Sequence, residues 1–333
     1  MTQQRPLLTL AIPTYNRGAF LRQFLDSVRD QLRSSSDVEL VVSDNASTDE
    51  TTEIMNEELT RGTRLTYIRN PENIGSDANF LQCYERANGK YVWVMGDDDV
   101  LAPYALRRIV ECLSGDEFDL VYLTPVGFEG TEPPPWNRSP IQWNARTFAD
   151  PAPFVRRVHH FFTMISANIV NKDRVESIGH DPFSKLVGSN LIHLGWIFTA
   201  LRGHRKSLLL DEKLFGYRCG NGGGFGICRV FGPALSEVAA QWLNVPRLSK
   251  LISNGALQRH IPPQLFGAKR QSNPFLREDA HAILSKTFGR NLRYWICGYP
   301  LIVLPERPAW VWLQMVRIVN RIDRALGFPL LGW

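Results

Sequence analysis

Short apolar runs alternate with amphipathic segments through the first 125 residues of this 333-residue chain. Leu7 to Ile12 reads as a strand, and Arg17 to Leu32 repeats Phe20, Leu21, Phe24, Leu25 and Val28 at helical spacing. Val38 to Val42 predicts a second strand. "STDETTEIMNEEL" then opens with capping side chains and early acids, a helix-start signature. "RLTYIRN" predicts a third strand and "SDANFLQCYERAN" a helix begun by Ser76 or Asp77. "YVWVM" predicts a fourth strand, "PYALRRIVECL" a helix with Pro103 in its first turn, and "FDLVYLT" a fifth strand. Strands alternating with single helices mean βαβ units, hence an α/β chain with a mostly parallel sheet covered by helices on both faces.

Ligands bind such sheets at the carboxyl ends of the strands. The loops there are "PTYNR" (13–17), "SDNASTD" (43–49), "NPENIGS" (70–76) and "GDDD" (96–99), all rich in groups that grip hydroxyls, amides or cations. Taken singly, Asp44, Asn45 and Asp49 also suit turns and helix caps, and Asn73 with Gly75 an ordinary turn. Asp97, Asp98 and Asp99 are harder to reduce to structure. One cap uses one acid and leaves two like charges beside an apolar strand, an arrangement that asks for a divalent cation.

Beyond about Pro125 the alternation stops. "TEPPPWNRSPIQWN" is a Pro- and Trp-rich loop of the kind that lines or covers a site. Helical segments follow around "PFVRRVHHFFTMIS" and "SNLIHLGWIFTALRGH", and the glycines of "GNGGGFG" suggest a mobile loop without dinucleotide spacing.

The four segments "LTLAIPTYNRGAFLRQFLDSV", "VELVVSDNASTDET", "IRNPENIGSDANF" and "GKYVWVMGDDDVLAPYAL" together resemble the nucleotide-diphospho-sugar domain of family 2 glycosyltransferases, the GT-A fold. The resemblance covers about residues 6 to 125 and is nearest to the abequosyltransferase-like branch, whose members add a sugar to a lipid-linked O-antigen repeat unit. It implies a hexosyltransferase-type enzyme, to which the periodicity of the tail adds a helical C-terminal extension. On that likeness Pro13, Thr14 and Tyr15 line the nucleobase pocket, Asp44 accepts a hydrogen bond from the base, and Asn45 and Asp49 shape the loop. Asn73 and Gly75 let the chain pass close to the ribose and diphosphate. The acid run matches the family's DxD element, with Asp97 and Asp98 toward the donor and Asp98 or Asp99 on Mn²⁺ or Mg²⁺, hard ions that prefer carboxylate oxygens. Many members carry the catalytic base in a Glu-Asp pair at a later helix start. Here that window reads "KLVGSNLIHLGW", without adjacent acids, which leaves His193, or Asp181 upstream, as candidate base. A core histidine on the apolar helix Leu191–Leu201 is the plain alternative. Arg218, in "GYRCGN", is placed against the diphosphate or on the surface.

Composition adds limits. Hydrophobic residues at 44% and charged residues at 21% are globular values. Five scattered cysteines without CxxC or zinc spacing fit a reduced, cytoplasmic protein. The N-terminus reads as neither signal peptide nor span, and no run reaches the roughly 18 apolar residues of a spanning helix. The net charge of +5 sits in the tail: from Lys286 onward seven cations face two acids, and the neutral remainder argues against nucleic acid as a partner.

That tail also holds four of the nine tryptophans, Trp295, Trp310, Trp312 and Trp333. A helix from Pro308 to Leu326 sets Trp312, Met315, Val316, Val319 and Ile322 on one face and Gln314, Arg317, Arg321 and Arg324 on the other, the pattern of a helix lying in a membrane interface. The expected organisation is a donor-binding half at 1–125, an acceptor-binding half at 126–285, and a membrane-associating segment at 286–333. Two rivals stay open: a sugar nucleotidyltransferase, though "AIPTYNRG" lacks a glycine-rich basic loop, and a catalytically inactive membrane-bound sugar- or nucleotide-binding protein.

Overall fold

The computed structural model describes residues 5–136, 144–220, 224–270 and 278–326, with side chains to Asp323. Gly222 and Gly223 of the triple glycine, much of the Pro/Trp-rich loop, the Arg324 side chain and Trp333 lie outside the described residues. The chain divides into two compact units.

The first unit comprises Met1–Phe154, Phe162–Gly188 and Ile192–Asn221. In chain order its elements begin β1 (Leu8–Thr14), α1 (Gly18–Arg33), β2 (Val38–Asp44), α2 (Thr51–Thr60), β3 (Leu65–Arg69), α3 (Ser76–Arg86) and β4 (Tyr91–Val94). They continue with β5 (Val100–Leu101), α4 (Ala105–Gly115), β6 (Leu120–Leu123), β7 (Val126–Phe128) and β8 (Ala145–Phe148). Then come α5 (Pro151–Val158), β9 (Asn168–Asn171), α6 (Lys172–Ile178), α7 (Leu194–Arg202), β10 (Ser207–Leu210) and β11 (Phe215–Arg218). The main sheet runs β3-β2-β1-β4-β9-β6-β10-β8. β1, β2, β3 and β4 are mutually parallel, as are β6 and β10, whereas β9 runs antiparallel between β4 and β6 and β8 antiparallel along β10. A small sheet, β5-β11-β7, stands beside it.

The apolar periodicity explains the layers. Leu8, Leu10 and Ile12 of β1 have no exposed surface, and α1 lays Leu21, Phe24, Leu25, Val28 and Leu32 on the sheet. Phe20, expected on that face, is half-buried and serves the site instead. Trp93 is fully buried; its indole N–H donates to the Ser166 carbonyl at 2.8 Å, satisfying the polar atom that burial would otherwise strand.

His193, expected on an apolar helix, is the N-cap residue of α7 and is buried. Burial pulls its pKa down to about 4 against an opposing hydrogen bond from Nε2 to the Thr163 carbonyl. His260 in the second unit is likewise lowered by burial to about 4. Both folded values lie below the ~6.5 of a free imidazole, so this stability is complete above pH ~6.5 and is lost as pH falls toward 4. For His193 alone the loss is roughly 3 kcal/mol by pH 4. Urea unfolding between pH 7 and 4 is expected to show it, and His193→Gln to flatten the slope. A slope unchanged in that variant would mean that His193 titrates alike in the folded and unfolded chain and that burial does not lower it.

The second unit comprises Val155–Phe161, Ser189–Leu191 and Gly222–Trp333 and is helical: α8 (227–243), α9 (246–269), α10 (Ala280–Phe288), α11 (294–303) and α12 (Glu306–Leu326). Proline cannot donate the i to i−4 bond, and wide π turns accompany it here: Pro233 lies within one, and Pro262 and Pro300 follow others.

α12 is docked as well as amphipathic. Ala309, Leu313, Val316 and Asp323 are buried. Gln258 of α9 donates to Asp323 at 2.7 Å and to Asn320 at 2.9 Å, and accepts from Arg293 at 3.0 Å. This polar anchor turns the helix, so the expected apolar face is corrected: Val316 is core, Trp312 is half-buried, and Val311, Met315, Ile318 and Ile322 form the exposed stripe. Among the described residues no helix is long and apolar enough to cross a membrane.

Candidate functional site

Parallel pairing puts the ends of β1 to β4 on one edge, and the polar loops meet there. The acid triplet follows β4. Asp97 is 3% exposed and accepts from the Thr14 hydroxyl at 2.8 Å and from Arg17 Nη1 at 2.9 Å. Asp98 is more open, its side chain 13% exposed, with Arg17 Nη2 at 3.4 Å. Asp99, 6% exposed, accepts from the Arg218 backbone N–H at 3.3 Å and from the Ser166 hydroxyl. Ser166 in turn accepts from Gly96 N–H at 3.0 Å. A Cβ at Gly96 would stand 2.9 Å from Asp98 Oδ1, so a larger residue there would displace that carboxylate.

Burial pushes Asp97 up to about 6, opposed by Arg17 and reinforced by Asp98. Burial and then the Asp98 charge push Asp99 up to about 7. Positive charge is therefore wanted at this edge. Among the described residues no three acidic, imidazole or thiol side chains converge into a closed cage. The donor set fits a hard divalent cation in the open manner: one or two carboxylates from the protein, with phosphate oxygens and water completing the shell.

The neighbouring loops interlock. Asn45 Nδ2 donates to Asn73 Oδ1 at 2.8 Å and to the Gly75 carbonyl at 3.3 Å, and Asn45 Oδ1 accepts from Ile74 N–H at 2.9 Å. Gly75 caps α3 with φ +86°, a left-handed conformation that glycine adopts without a Cβ clash. Asp44 is fully buried: it accepts from Ser47 N–H at 2.9 Å and the Tyr67 hydroxyl at 2.8 Å, with Arg69 Nε at 3.4 Å. Burial and the Asp44 charge raise Tyr67 to about 12. Asp49 accepts from Gly18 N–H at 2.8 Å and from Thr51. Burial would raise its pKa, but these bonds outweigh burial and hold it below its usual range. Pro13 is buried within β1, and Tyr15 stands exposed beside it.

Arg218 reaches the same edge from β11. Its guanidinium bonds Gln23 and lies over Phe20 at 4.8 Å and Phe128 at 4.6 Å. His193 is tied to the Thr163 carbonyl at 3.0 Å, three residues from Ser166, which leaves Nδ1 as its proton-accepting atom. Asp181 is exposed and paired with Lys185 at 3.0 Å. Arg17, Ser166 and Tyr67 carry geometry that the sequence reading assigned no role. Arg17 had a signal, as a cation in the loop of a strand adjacent to β4; "TMIS" gave none for Ser166.

Abequosyltransferase RfbV of Salmonella typhimurium is 42% identical over 103 residues, 30% of each chain. GalNAc(5)-diNAcBac-PP-undecaprenol beta-1,3-glucosyltransferase of Campylobacter jejuni is 29% identical over 107 residues, 32% of this chain and 34% of the other. These matches span about a third of the length of the curated relatives. The mannosyltransferase PcManGT from Pyrobaculum calidifontis, solved with GDP-Man and Mn²⁺, shares the GT-A fold at a TM-score of 0.53 and 16% identity, over 96% of this chain and 87% of that one. The model of glycosyl transferase family 2 matches residues 9–176, half of the chain and the whole ring of loops from Thr14 to Ser166, so this protein is a member of that family.

Proposed function

We propose that the chain transfers a sugar from a nucleoside-diphosphate sugar to a hydroxyl of a polyprenyl-diphosphate-linked glycan, in O-antigen or surface-polysaccharide synthesis at the inner face of the cell membrane. The observation that carries this reading is the convergence of Asp97, Asp98, Asp99, Arg17, Arg218 and Ser166 at the carboxyl edge of a family 2 sheet. The PP-undecaprenol named for the Campylobacter relative supports the acceptor class, and the exposed stripe of α12 supports membrane contact.

In this reading residues 1–125 bind the donor, 126–285 the acceptor and 286–333 the membrane. Pro13, Thr14, Tyr15 and Asp44 serve the base, with Asn45 and Asp49 holding the loop. Asn73 and Gly75 border the ribose and diphosphate, and Arg218 neutralises phosphate. Asp98 and Asp99, with Asp97 behind them, hold Mn²⁺ or Mg²⁺, which when bound stabilises the negative charge growing on the leaving diphosphate. His193 or Asp181 takes the acceptor proton. The burial of His193 favours one second reading, a nucleotide-sugar-binding protein without turnover.

Titration with UDP-, GDP-, CDP- and dTDP-sugars, with and without Mn²⁺, tests donor binding; turnover on a lipid-linked acceptor separates enzyme from binder. Asp44→Ala is expected to weaken nucleotide binding about tenfold or more, with or without metal, the usual loss for a hydrogen bond to a charged group. Calorimetry with nucleoside and nucleotide checks it, and unchanged affinity removes Asp44 from the base pocket.

A further inference from the structure

Arg17 is the guanidinium that meets the acid triplet. It grips Asp97 closely, Nη1 to Oδ1 at 2.9 Å, and Asp98 loosely, Nη2 to Oδ2 at 3.4 Å. The backbone around it is pinned: Asn16 N–H donates to Ser47 at 2.9 Å, Asn16 Oδ1 accepts from Thr48 N–H at 2.7 Å, and Gly18 N–H donates to Asp49 at 2.8 Å. The side chain, in contrast, is 34% exposed. Its guanidinium lies 5.5 Å from the centre of the Phe20 ring, which Arg218 also covers at 4.8 Å. Two guanidinia thus share one aromatic ring at the lip of the triplet, an arrangement suited to oxyanions of a diphosphate.

We propose that Arg17 is an exchangeable counter-ion: it holds Asp98 in the place of a divalent cation until a nucleoside diphosphate draws the guanidinium onto its phosphates, so that cation and nucleotide strengthen each other's binding. This rests on the triplet being the cation site. A guanidinium and a divalent ion compete for the same Asp98 carboxylate, so metal alone binds against Arg17. A diphosphate gives the guanidinium a more strongly charged partner and the metal further oxygens, while Nη1 retains Asp97. The coupling is reciprocal by linkage: whatever factor nucleotide adds to metal affinity, metal adds to nucleotide affinity.

Mn²⁺ binding to the full chain, followed by electron paramagnetic resonance and calorimetry with and without UDP or GDP, tests the exchange. Arg17→Gln is expected to bind Mn²⁺ alone about tenfold tighter, the scale of removing one charge within about 4–6 Å. Nucleotide should then enhance Mn²⁺ affinity far less than in the wild type, with Arg17→Lys between the two. Mere loss of structure at the site would lower the metal affinity instead of raising it. Arg17→Gln with wild-type Mn²⁺ affinity, or with undiminished nucleotide enhancement, overturns the exchange while leaving the cation site in place. Should Arg17→Gln not fold, a wild-type chain whose Mn²⁺ affinity is indifferent to nucleotide overturns it equally. A wild-type chain that takes up no Mn²⁺ with any nucleotide removes the cation site and Arg17's role together.

Discussion

Asp99→Asn is expected to abolish metal-dependent nucleotide binding and to lower sugar transfer by at least about a hundredfold, because a bound cation contributes several kcal/mol to stabilising the leaving diphosphate. The substitution is nearly isosteric, its amide oxygen can still accept from Arg218 N–H, and its NH₂ can donate to the Ser166 hydroxyl in place of the bond Asp99 accepts there. The fold is expected to survive, and the sign of the pKa shift makes that checkable. Asp99 is raised to about 7, above its unfolded value, so its contribution to stability is full below pH ~4 and lost as pH rises through 7. At pH 8 the wild type without metal bears the buried charge and Asp99→Asn does not, so the variant should melt no lower. Nucleotide titration with and without Mn²⁺, beside a thermal melt at pH 8, reads both effects. Wild-type affinity with the same Mn²⁺ dependence would take Asp99 out of the metal site.

Most of the first four strands was legible because each element satisfies one rule at a time. Leu8–Thr14 and Val38–Asp44 are apolar runs of strand length, and Gly18–Arg33 and Ser76–Arg86 keep helical spacing between polar breaks. Once those strands are parallel, their loops must share an edge, which is why the meeting of Asn45 with Asn73 and of Thr14 with Asp97 was foreseeable in kind. The later part resisted for a physical reason. β9 is four residues, Asn168–Asn171, inserted antiparallel between β4 and β6, and nothing in "NIVN" specifies partners so distant in sequence. β11 was equally silent, so Arg218 could be guessed only by likeness. The short segment Ile165–Ala167 gives no periodic signal, yet it delivers Ser166 to Asp99. On α12 periodicity alone predicts a single apolar face, because spacing carries no sign that Asn320 and Asp323 find a buried partner. Their bonds with Gln258 draw that side inward and divide the apolar residues between core and solvent.

That division changes how membrane contact is best tested. Deleting residues from Arg307 onward removes Ala309, Leu313 and Val316 from the core of the second unit, so the deletion is expected to damage folding and would say nothing about lipid. Met315 and Ile318 are about half exposed and lie on the outward stripe with Val311 and Ile322, so Met315→Glu with Ile318→Glu leaves the docked side untouched. Arg307, Arg317 and Arg321 are exposed, and near an anionic leaflet each contributes about 1 kcal/mol. Inserting the exposed half of each stripe side chain adds roughly 1 kcal/mol apiece. The double variant loses two such terms and adds two charges repelled by the leaflet, so its partitioning onto anionic vesicles should fall by over about a hundredfold. Its thermal melt and donor binding should stay at wild-type values, since the acid triplet belongs to the other unit. Salt is expected to weaken the wild-type association only in part, because the apolar stripe is not screened. Turnover of a lipid-linked acceptor in vesicles should fall with partitioning, and turnover of the same acceptor in detergent should not. A double variant that co-sediments with vesicles like the wild type would assign the stripe to something other than lipid and end the membrane reading.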